Sequence, residues 1–221
     1  MNSRFSNFVL LDASLPHGVV AAKLDASGRA WENFAVEKTA ALEGLFDAVA
    51  KAAPAFGGNG FIFCEGPGSI LGIRIAAMAI RGALALRECP VFAFQSLSLA
   101  ARLILRAGMA RGNANFAVVA ESRMNCWNVL IVDEKGVPAE HFVELKTDEL
   151  GTLPEQIFLV PARRAKIPLA GTLIDPLAML RDDPAVFEDC PELLHDCGNA
   201  PDAVNTSAAN SYVKWTPERH R

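Results

Sequence analysis

An α/β fold built as two tandem halves is what this sequence predicts, on three observations. Short apolar runs at residues 8–11, 19–24 and 31–36 follow one another across turn residues, as the strands of a meander do. Beyond residue 37 the apolar spacing changes from two to three and four, and helical stretches then alternate with short apolar runs. After Arg111-Gly112-Asn113 a further set of strand-like runs begins, as in a degenerate second copy.

The first run, Phe8-Val9-Leu10-Leu11, breaks at Asp12-Ala13-Ser14 and a Pro-His-Gly turn. The second ends in Asp25-Ala26-Ser27-Gly28, and residues 31–36 mix aromatic and polar side chains as an exposed edge strand does. Leu42, Leu45, Phe46 and Val49 recur at helical spacing in an alanine-rich stretch that stops before Pro54. A strand at 61–64, a glycine-rich loop, a helix over 70–87, a strand ending at Phe94 and a helix at 96–105 complete the order β-β-β-α-β-α-β-α. Ribonuclease-H-like and actin-like ATPase folds share that order, whereas dinucleotide-binding domains lack the opening meander. The expectation is therefore a first half, 1–110, on a five-stranded mixed sheet with 8–11 central and 31–36 at an edge. The second half, 111–221, has strands expected at 116–120, 127–133, 141–145 and 157–160 and a helix near 176–181. Residues 182–211, rich in Asp, Pro, Asn and Ala, read as long loops.

Composition excludes several classes. With 51% hydrophobic and 21% charged residues the chain is well outside the disordered range. Net charge is −4, divided as +2 up to Ala110 and −6 beyond it, and the only basic pair is Arg163-Arg164. Nucleic acid is thus not expected as a direct partner, because tight binding needs clustered cations to release counterions. Arg74 and Arg81 interrupt the longest apolar stretch, so no membrane span is expected. Five scattered cysteines with no CxxC pair and no signal peptide read as reduced thiols of a cytoplasmic protein.

The segment Glu65-Gly66-Pro67-Gly68-Ser69-Ile70-Leu71-Gly72 lies between a strand and a helix. It is either a tight structural turn or an anion cradle, in which Gly66, Gly68, Ser69 and Gly72 present backbone amides at a helix N-terminus. It matches neither the Walker loop nor the dinucleotide fingerprint. Asp12 and Ser14 sit where an actin-like ATPase places a phosphate-facing loop, and an aspartate at a strand end is also a routine turn former. No G-x-S-x-G elbow supports a serine hydrolase. The histidines, 17, 141, 195 and 220, include no pair four apart to hold a metal, and Cys190, His195 and Cys197 have poor zinc spacing, so they read as surface or loop residues. On the long helix Ile73, Ala77, Ile80 and Leu84 make a core stripe, with Arg74, Met78, Arg81 and Ala85 beside it as a mixed stripe suited to an interface.

Gly66-Pro67-Gly68-Ser69, Gly72-Ile73-Arg74, Pro90-Val91 and Gln95-Ser96-Leu97 together resemble the TsaB (YeaZ) family, whose loop reads GPGSFTGLRIG. Leu10-Leu11-Asp12-Ala13-Ser14 is similar to its LDTS, and Val119-Ala120-Glu121-Ser122-Arg123 to its LDARR-like strand end. Ile70-Leu71 stands for the family's Phe-Thr, Ala76 for a glycine and Ala13 for Thr, departures that mark a divergent paralogue. The resemblance implies an actin-like fold without a complete ATP site, acting as scaffold beside a catalytic TsaD-like subunit that makes threonylcarbamoyladenosine on tRNA. Relatives are often labelled glycoproteases, and nothing in these residues supports proteolysis. The resulting expectation is a non-enzymatic subunit with no cofactor and no metal. It would contact a TsaD-like actin-fold protein, or itself as a homodimer, through Leu42, Leu45, Arg74, Met78 and Arg81 on the helices of residues 38–52 and 70–87. The alternative is an actin-like phosphotransferase or ATPase using Asp12 and the Gly66 loop.

Overall fold

Strands that are buried on both faces read as unbroken apolar runs, and the first sheet is assembled around two of them. All five residues of β1 (Phe8–Asp12) and all seven of β4 (Gly60–Gly66) are buried. In this computed structural model, which describes residues 3–15, 18–39, 41–112, 114–123, 125–161, 169–198 and 201, β1 pairs antiparallel with β2 (Val19–Leu24) and parallel with β4. β2 continues to β3 (Trp31–Glu37), β4 pairs parallel with β5 (Val91–Gln95), and the meander lies on one side of β1 as expected. The order is β11-β5-β4-β1-β2-β3, so β3 is an edge. The sheet has six strands rather than five, because the two-residue β11 (His195–Asp196) returns from the far end of the chain to pair antiparallel with β5.

Alternation along the strands supplies two cores. Val9, Leu11, Phe61 and Phe63 face α1 (Ala41–Ala52) and α2 (Ile70–Leu84), which contribute Leu45, Val49, Ala76 and Ile80. Leu10, Ile62, Phe92 and Phe94 face the other way, toward Leu99 and Leu103 of α3 (Ser96–Arg106) and toward Leu180, Val186 and Phe187. Those last three come from α4 (Pro176–Asp182) and α5 (Val186–Asp189), so part of the stretch expected to be loops is helical and plugs the first-half core.

The second sheet repeats the topology. β6 (Phe116–Glu121), β7 (Cys126–Val132) and β8 (Val143–Lys146) form the meander, and β9 (Gln156–Leu159) and β10 (Thr172–Leu173) extend parallel from β6, giving β10-β9-β6-β7-β8. Where α1 stands in the first half, the second has only a 3-10 turn at Thr147–Thr152. α3 lies between the sheets: Leu97, Ala100 and Ile104 pack with Phe116, Leu130 and Phe158, while Leu99 and Leu103 pack with the first sheet. No helix among the described residues is long and apolar enough to cross a membrane. Arg163-Arg164, His17, His220 and residues 202–211 lie outside the described residues.

Candidate functional site

β1 and β4 are parallel neighbours, so the segments leaving their carboxyl ends meet, as ligand-binding loops do in open α/β sheets. Ser69 N–H donates to the Ser14 carbonyl at 2.7 Å, joining the Asp12 and Gly66 segments directly. The glycines have a packing reason as well as an anion-binding one. A Cβ on Gly68 would lie 2.5 Å from the Ser14 carbonyl oxygen and one on Gly72 1.8 Å from that of Ala13. Gly66 has φ 122°, in the region that favours glycine. Ser69 caps α2, its Oγ accepting from Gly72 N–H at 3.3 Å.

Asp12 is buried at the junction, and Ser14 N–H donates to its Oδ1 at 2.8 Å. Burial pushes its carboxyl above the usual aspartate range, and the hydrogen bonds from Ser14 and the Cys64 thiol only partly oppose this. Ser14 Oγ is buried without a hydrogen-bond partner.

These residues line one wall of a cleft of about 670 Å³ between the two sheets. The opposite wall is Glu121, Ser122, Arg123 and Glu144, with Leu177 and Leu180 of α4 also lining it. Glu144 is already engaged: Ser122 Oγ donates to it at 2.5 Å and Arg123 Nη2 at 2.7 Å. The described lining therefore carries three carboxylates against one guanidinium that is itself paired, a poor environment for a polyphosphate without counter-cations.

The sequence-predicted interface residues separate. Arg74, Met78 and Arg81 are exposed on α2, and Leu42 is exposed on α1. Leu45 is fully buried, which corrects its assignment to a partner surface. Small residues explain the rotation: Gly44, Ala48 and Ala52 share the sheet-facing side with Leu45 and Val49, leaving Leu42 and Phe46 outside. Between the helices runs an apolar groove of about 460 Å³ lined by Leu42, Phe46, Phe56, Met78 and Leu86. Phe46 is half exposed, and Leu42 and Met78 are 57% and 69% exposed. Phe46, four residues after Leu42, was the missed member of this outer stripe, and the i, i+4 spacing is its signal.

No protein-family model matches the chain, and no curated protein does. Among solved structures it is similar to a protein from Pseudomonas aeruginosa described as uncharacterized, with similarity to peptidase YEAZ. Identity is 20% and the TM-score 0.56, over 80% of this chain and 90% of that one. YeaZ from Pseudomonas aeruginosa gives 19% identity and a TM-score of 0.55, over 80% and 91%. The likeness shows the fold. It is an α/β architecture with two sheets, each opening on a meander, as the order of elements predicts.

In this YeaZ-like architecture one further polar site stands apart from the cleft residues. Glu65 is 3% exposed at the end of β4, and the Nε2 of His195 on β11 lies 3.1 Å from its Oε2. Burial raises the Glu65 carboxyl, and the charge on His195 and a hydrogen bond from Gln95 pull it down. Cys197 is pushed up to about 11 by burial, Glu65 and Asp196, whereas Cys190 sits among Arg102, Arg106 and Glu192. Among the described residues no three His, Cys, Asp or Glu side chains are placed to share a metal ion.

Proposed function

We propose that this chain is a non-catalytic partner subunit that holds an actin-fold catalytic protein of the TsaD kind in tRNA threonylcarbamoyladenosine modification. The observation that carries the proposal is the groove between α1 and α2, where Leu42, Phe46, Met78 and Leu86 present large apolar side chains that the monomer leaves uncovered. Such side chains flanked by exposed Arg74 and Arg81 make an apolar centre with a charged rim, the anatomy of a protein interface. The YeaZ-like fold and the Gly66–Gly72 loop's resemblance to TsaB support the same reading. In it the protein acts without a cofactor, reaches tRNA only through its partner, and has no peptidase activity.

Met78→Glu tests the proposal. At 69% exposure the side chain bears little on the monomer's stability, so the melting temperature should hold. In a complex the new carboxylate would be desolvated and unpaired, at a cost of several kcal/mol against the roughly 8 kcal/mol of a micromolar interaction. Light scattering and titration with a TsaD-like protein should show weakened association by at least tenfold. Retention of both stoichiometry and affinity would exclude this face. Loss of self-association alone would make a second copy the occupant.

The meeting of the Asp12 and Gly66 segments at 2.7 Å in a cleft of about 670 Å³ favours the phosphotransferase or ATPase reading as the alternative. ATP turnover abolished by Asp12→Ala would carry that reading instead.

A further inference from the structure

The segment running from α4 through β11 is fastened to the first sheet by two kinds of contact. Its proximal part is held by groups whose charge does not change near neutrality. Arg106 binds Asp183 at 2.5 Å and Asp189 at 2.9 Å, Arg29 binds Asp189 at 2.8 Å, and Arg102 binds Glu192 at 2.9 Å. Apolar anchors Leu180, Val186 and Phe187 are buried there too, and Trp31 Nε1–H donates to the Leu180 carbonyl at 3.2 Å.

The distal end is attached more thinly. β11 pairs with β5 over two residues, His195 opposite Ala93 and Asp196 opposite Phe92, followed by one bond from Cys197 N–H to the Val91 carbonyl at 2.9 Å. Leu194 and Cys197 pack against the cores on its two sides, and the polar side-chain contact that ties β11 inward is that of His195 with Glu65. The β4–β5 register shifts between Cys64 and Gly66, leaving Glu65 as the extra residue of a bulge, a device that re-aims a side chain.

We propose that the His195–Glu65 pair is a pH-sensitive latch that holds β11 over the outer edge of β5 and loosens as His195 loses its proton. Glu65 Oε2 is buried with no hydrogen bond of good geometry, so the charge facing it decides whether a carboxylate is tolerated there. An imidazolium at 3.1 Å supplies that charge. Once the imidazole is neutral the carboxylate must take up a proton or reach water by displacing the strand.

The neighbours on each element do not replace that titration. Cys64 on β4 and Cys197 after β11 have thiols raised by burial and remain neutral through this range. Gln95 on β5 is uncharged and hydrogen-bonds Glu65, and Asp196 adds a negative charge near Cys197. On α2, Ala76, Ala77 and Ile80 point into the core, while Arg74 and Arg81 are exposed.

Amide hydrogen exchange on the full chain at pH 6 and pH 8, corrected for intrinsic rates, tests the latch. Peptides covering residues 194–198 and 91–95 should be several-fold less protected at pH 8. Those covering 183–190, held by arginines, should not change. His195→Gln, at a half-exposed position, should make protection at 194–198 the same at both pH values, and Glu65→Gln should do so as well. Equal protection at both pH values in the unaltered chain, or a pH dependence that survives His195→Gln, would overturn the proposal.

Discussion

Asp12 combines a turn and a burial in one carboxyl at the end of β1. A strand-end aspartate reads either as a phosphate-facing group or as a turn former, and here burial raises its carboxyl and so favours the protonated form. The folded value lies above the unfolded one, near 3.8, so the native state holds this proton more tightly. Its contribution to stability is full below the unfolded value and is lost as pH rises through the folded one. Asp12→Asn keeps an acceptor for Ser14 N–H and removes the charge. It should melt higher than the parent at pH 7.5. The gap should close by pH 4 in calorimetry. An asparagine variant that melts lower at pH 7.5 would mean that the carboxylate is stabilised in place. The glycine loop was legible as a loop, but the need for Gly68 and Gly72 was not. It comes from backbone oxygens of residues 13 and 14, more than fifty positions earlier in sequence.

At the scale of elements, strands and helices were readable wherever they bury a continuous or periodic set of apolar side chains. β1, β4, β6 and β7 and helices α1 to α4 fall where the pattern places them, with ends shifted by a few residues, as in α2, which stops at Leu84. β10 and β11 were not readable, because each has two residues, all exposed, and exists only through pairing with a neighbour. Which side of a helix faces inward was also beyond reach where large residues occupy both sides. α1 puts Leu45 inside and Leu42 outside, and the two leucines give a direct test. Leu45→Ala should cost about 2–5 kcal/mol in denaturant unfolding, and Leu42→Ala no more than about 0.5 kcal/mol in the monomer. Similar losses at both positions would contradict this orientation of the helix.

For the molecule as a whole, α3 packs on both sheets, and residues 176–196 return to the first. Sequence order gives no sign of that return, since the short apolar runs Leu177-Ala178-Met179-Leu180 and Ala185-Val186-Phe187 carry nothing that says which sheet they cover. The return has a consequence for solubility. β5, Val-Phe-Ala-Phe-Gln, is a short apolar segment without charge or proline, the composition from which cross-β fibrils nucleate. β4 covers one side of it, and two residues of β11 cover the other. An uncovered edge of that kind is a template for other chains. A chain shortened to end at residue 190 keeps Phe187 in the core and loses that cover. On mild heating it should form thioflavin-binding aggregates at temperatures where the full chain stays monomeric, and clear, dye-negative solutions of the shortened chain would refute this. The sixth strand is thus a gatekeeper: while it is in place, residues 91–93 of β5 are not free to receive a foreign strand.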